Sequence, residues 1–168
     1  ETLAAAMADA KTVLAETRDP QLADIALDKA YFEELLSEAD TVSSPLLAGY
    51  VRLNIDAANL RTTVRVVKMG KSADILSRAL IAGGAVPPDT ILGAWESGIT
   101  LAAIYDGELS AAAKLGDDAV SGGDLTAFER ECDNAIVSYM SAARSKPFGE
   151  EVHSQVVRVR SVRGNVDA

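Results

Sequence analysis

Leu46, Tyr50, Leu53, Ala57, Leu60, Val64 and Val67 recur at alternating spacings of four and three residues. Only an α-helix brings such positions onto one side, because 3.6 residues complete a turn. Leu47, Val51, Ile55, Ala58 and Val66 make a second apolar row beside the first. Two adjacent rows give a face too wide for one neighbour, so this helix must lie centrally against at least two others. Ser43-Ser44-Pro45 supplies a cap and a first-turn proline. Gly70, after Lys68 and Met69, supplies the stop, with a cation at the negative end of the helix dipole. A helix of this length and double face sets the chain on an all-α course.

The flanking sequence follows the same course. Residues 2–17 are Ala-rich with a loose helical pattern. Asp19-Pro20 opens a second helix, expected to end near Asp40, with Ile25, Phe32, Leu35 and Leu36 on one side and Asp28 at its edge. A short helix is expected over 72–81. Gly83-Gly84 then breaks the chain, and Pro87-Pro88 forces an extended turn. Asp89 can cap a further helix to Gly98, with Leu92 and Trp95 inward, and 100–105 and 109–115 read as shorter helical pieces. Asp124, after Ser121-Gly122-Gly123, can cap a long helix with Leu125, Phe128, Cys132, Ile136, Tyr139 and Ala143 in register. Pro147-Phe148-Gly149 ends it. The segment 156–162 fits both a strand and a helical stripe; no second strand candidate exists to pair with it, so a helix is expected. The sequence therefore predicts packed helical bundles in three stretches. These are a helical lead-in over 1–42, the central helix with short helices over 43–120, and a C-terminal helical pair over 121–168.

Composition excludes several functions. The net charge of −9 repels nucleic-acid phosphates and anionic lipid headgroups. No apolar run nears the ~18 residues of a bilayer span. The chain begins with Glu1 rather than Met and has no signal-peptide pattern, which reads as a fragment. One cysteine rules out an internal disulfide, and one histidine, His153, rules out a His–His metal pair. No GxxxxGK[ST] or GxGxxG pattern is present. Cys132 sits on an apolar stripe, where a small buried hydrophobe is the ordinary reading. Glu33-Glu34 and Glu150-Glu151 are adjacent pairs, about 100° apart on a helix, and do not converge as an acid–base pair must. Neither a catalytic site nor a cofactor is expected.

The central helix carries the series Leu46-Leu47-Ala48-Gly49-Tyr50-Val51-Arg52-Leu53-Asn54-Ile55-Asp56-Ala57-Ala58-Asn59-Leu60-Arg61-Thr62. This resembles the "L-x-x-Y-v-x-L-e-I-D-x-x-N-l-r-T" motif of the C-subunit family of V/A-type ATPases, whose eukaryotic member is called the d subunit. Upstream, Leu27-Asp28-Lys29-Ala30-Tyr31-Phe32 is similar to the family's "L-D-x-x-Y-F" helix. Downstream, Ala79-Leu80-Ile81-Ala82-Gly83-Gly84 resembles its "l-i-p-G-G" turn, and Phe148-Gly149-Glu150-Glu151 its "f-G-x-E-p" step. The ordered matches span residues 25–151, and family members are about twice as long, so the chain looks like a C-terminal half. One departure stands out. Where the family has a "K-E-x-E-i-x-N" run, this chain has Val159-Arg160-Ser161-Val162-Arg163-Gly164-Asn165, so contacts made by those glutamates cannot be carried over.

The resemblance implies a funnel of repeated helical units. It would be held peripherally at the cytoplasmic face of a membrane, between the central stalk and the proteolipid ring, and would pass torque without catalysis. A helical adaptor in another assembly is the alternative. Candidate partner contacts are Asn54, Asp56, Asn59 and Arg61, placed toward the less apolar side of the central helix. Solvent exposure or internal salt bridging is their competing reading. Arg158, Arg160 and Arg163 form a basic concentration that could meet an acidic partner or pair with local carboxylates such as Glu150.

Overall fold

In the computed structural model the residues that can be described are 20–42 and 44–144, with Met7, Ala8, Lys11, Thr12 and Ala15 before them. Among the described residues there are six α-helices, two short 3-10 turns and no strand. The helices are α1 (Pro20–Val42), α2 (Pro45–Lys68), α3 (Ala73–Ala79), α4 (Pro88–Ser97), α5 (Ser110–Val120) and α6 (Leu125–Arg144). The 3-10 turns, Leu101–Ala103 and Gly107–Leu109, lie between α4 and α5. The expectation of an all-α fold holds. The expected structure of 145–168, including its last helix, lies outside the described residues.

Helix α2 lies centrally among four other helices, as its double apolar face requires. It packs against α1, α3, α5 and α6. Its start is fixed by Ser44, whose side-chain oxygen accepts from the Leu47 N–H at 3.3 Å, with Pro45 in the first turn. Its end is fixed by two crossed backbone bonds, Gly70 N–H to Val67 O at 2.9 Å and Lys71 N–H to Val66 O at 3.1 Å. That pattern needs a left-handed residue, and Gly70 adopts φ 63° without the penalty of a Cβ. Lys68 reaches across to the Ala119 carbonyl near the end of α5 at 3.0 Å.

The two faces of α2 feed two apolar clusters. The larger joins Leu53, Leu60 and Val64 to Leu76, Ile91, Leu101, Tyr105, Ala112, Phe128 and Cys132. The smaller joins Leu47, Val51 and Ile55 to Leu35 and Ala39 of α1 and to Ile81. Ile136 and Tyr139 of α6 touch both, so the two clusters share one wall. Close approach is set by small residues. Gly116 lets α5 settle against α2 and α6, since a Cβ there would sit 3.0 Å from Val64 Cγ2 and 3.2 Å from Phe128 Cε2. Tyr139 lies over Gly49 in the same way and donates its hydroxyl to the Leu46 carbonyl at 3.3 Å.

Several local expectations are corrected. Helix α1 runs to Val42, beyond Asp40. Helix α3 is shorter than 72–81, because Leu80 turns extended and Ile81 enters the loop. Helix α4 is capped from Pro87, with Asp89 in its first turn making no side-chain cap bond. Helix α5 continues to Val120, past the expected end at 115, because Gly116 there serves packing rather than a turn. Asp124 does cap α6, accepting from Thr126 N–H at 2.8 Å and Ala127 N–H at 3.2 Å.

Candidate functional site

The connection between α3 and α4 has no regular structure, so its backbone N–H and C=O groups need partners from elsewhere. Helix α2 supplies them. Asn59 Nδ2 donates to the Ile81 carbonyl, and the Ile81 N–H donates to Asn59 Oδ1, each at 2.8 Å. One turn earlier, Asp56 Oδ2 accepts from Ala85 N–H at 2.9 Å and Oδ1 from Val86 N–H at 3.1 Å. Positions 56 and 59 share a helix face, so the two side chains grip both ends of the loop 81–86. Thr63 extends the row by donating to the Asn59 carbonyl at 2.8 Å.

The glycine pair completes this fit. Gly83 has φ 99°, which a side chain strongly resists, and a Cβ on Gly84 would overlap the Asp56 carboxylate. In physical terms the "I-D-x-x-N" and "G-G" motifs are one unit, with polar side chains on the helix and a backbone shaped to approach them.

Burial governs the electrostatics here. Desolvation pushes the Asp56 carboxyl above its ordinary value, and the N–H groups of Val86 and Ala85 pull it partly back. The Tyr105 hydroxyl is buried without a hydrogen-bond partner. Burial raises its pKa far above the usual phenol value, and the charges of Asp56 and Cys132 add to that. Burial pushes the Cys132 thiol up to about 11, with Arg61 opposing and nearby carboxylates adding. Cys132 is thus the core cysteine that its stripe suggests.

The sequence-derived contact residues fall into three groups. Asn54, Asp56 and Asn59, expected on the less apolar side of the helix, are all buried. The competing reading of solvent exposure is excluded for these three, since Asp56 and Asn59 turn to the loop and Asn54 to its own helix backbone, whereas Arg52 and Arg65 of the same helix are exposed. Asn54 donates to the Tyr50 carbonyl at 2.7 Å. Arg61 is half-buried at the α2–α6 seam, where it bonds the Asp133 carboxylate and the Glu129 carbonyl. Its Nε lies 3.0 Å from Glu129 Oε2, an ion-pair contact too poorly aligned to count as a hydrogen bond. Arg65 binds the other oxygen of Glu129 at 2.6 Å. These partly exposed pairs set the register of α6 on α2 more than they stabilise it. Arg158, Arg160 and Arg163 lie outside the described residues.

Sequence reasoning missed Ile81, Ala85, Val86 and Tyr105. The available signal was the spacing of Asp56 and Asn59 inside an otherwise buried helix, which demands internal partners. It also missed Asp117, whose carboxylate accepts from Leu101 N–H at 2.8 Å and Ala102 N–H at 2.9 Å and so caps the 3-10 turn. Among the described residues no group of three or more acidic, His or Cys side chains could hold a metal ion. No described helix is long and apolar enough to cross a membrane. The chemistry of the site is clamping, in which side chains fix the position of a loop.

Fold and site together define an all-α scaffold organised on one central helix that grips its own connecting loop. The chain matches the family described as ATP synthase (C/AC39) subunit over residues 1–157, and it belongs to that family. It is similar to the C subunit of the V-type ATP synthase in two strains of Thermus thermophilus, with 34% identity over 64 residues in each case. The matched stretch covers 38% of this chain and only 20% of each relative's length. No solved structure gives a significant match.

Proposed function

We propose that this chain is part of a non-catalytic coupling component of a rotary V/A-type ATPase, linking the central stalk to the proteolipid ring during ion transport. The observation that carries the reading is the family match across residues 1–157. The all-α body supports it, because torque transfer calls for a stiff, closely packed element rather than a reactive pocket. On this reading the protein sits at the cytoplasmic face of the membrane, held through the ring, and has no ATP-hydrolysing site of its own.

We assign direct partner contact to Arg158, Arg160 and Arg163, the basic concentration in an acidic chain, which suits an acidic docking surface. Asp56 and Asn59 act indirectly, by fixing the shape of the α2–loop unit; Asn54 acts within α2, on the Tyr50 carbonyl, and Arg61 by holding α6. Affinity purification of the tagged parent protein tests the assignment. Stalk and ring proteins are expected to co-purify in constant ratio, and reversing the three arginines to Glu should weaken that association. Recovery of the protein free of both would overturn the assignment.

A further inference from the structure

We draw no further inference here: the strongest candidate, the exposed apolar side chains Met69 and Ile99 at the C-terminal ends of α2 and α4, carries nothing because nothing in the structure shows what covers them.

Discussion

Asn59 and Ile81 stand 22 positions apart in sequence and exchange two hydrogen bonds of 2.8 Å, the amide side chain presenting its own donor and acceptor to one residue's backbone. This pairing treats the loop end as if it were an edge of regular structure. Asn is suited to it because only an amide offers both polarities at that reach.

Asn59→Ala should therefore cost about 2–4 kcal/mol, since it strands a buried N–H and a buried C=O at Ile81. Asn59→Asp should be no milder, because it keeps the acceptor but loses the donor and buries a charge. Chemical denaturation monitored by circular dichroism reads both. A loss below about 0.5 kcal/mol for Ala would mean that the loop holds itself.

Asp56 gives a pH prediction with a definite sign. Its carboxyl titrates above the ordinary value in the folded chain. The folded state thus keeps its proton after the unfolded state has released it, and stability from this group falls as pH rises through the folded pKa. Asp56→Asn removes the titration and leaves one acceptor oxygen for two loop N–H groups, so that one of Ala85 and Val86 faces an amide NH2 with no acceptor. The variant should be less stable than the wild type, with the deficit largest below about pH 4, the unfolded aspartate value, and shrinking as pH rises. Denaturation midpoints across the acid range check this; a deficit that grows with pH would contradict it.

The close approach of α5 predicts opposite results at two helical glycines. Gly116→Val should destabilise by about 1–3 kcal/mol, because its first added atom already crowds Val64 and Phe128. Gly93, inside α4, has nothing within 4 Å of an added Cβ. Gly93→Ala should stabilise by roughly 0.5–1 kcal/mol through helix propensity and reduced unfolded-state entropy. Thermal melts of the two variants separate packing from propensity.

Cys132 should resist thiol reagents in the folded chain. It is fully buried, and its thiol is raised to about 11, so little reactive thiolate exists near neutrality. Labelling should follow the unfolding rate and quicken with denaturant. Fast labelling at neutral pH without denaturant would mean that the larger cluster opens locally.

Much of this architecture is legible in the sequence, for a physical reason. The rows on α2 obey a helical period, and caps such as Ser44 and Asp124 act within three residues of themselves, so local sequence specifies both. The loop clamp is different. Asp56 and Asn59 read as surface polar residues because their partners are backbone groups 22 to 30 positions away, and backbone groups carry no sequence signature. The same holds for Gly116, where a glycine reads as a break and the actual need is for room beside Val64. Arg61 shows the intermediate case. Its charge suggests an ion pair, but only the course of α6 alongside α2 identifies Glu129 and Asp133 as the partners.

The coupling role itself is tested by following ATP hydrolysis and ion transport together, in membrane vesicles from cells with and without the parent protein. Without it, ion transport should be lost while the catalytic head goes on hydrolysing ATP. Restoring the parent protein should bring transport back. ATP-driven transport that persists undiminished in its absence would contradict the account.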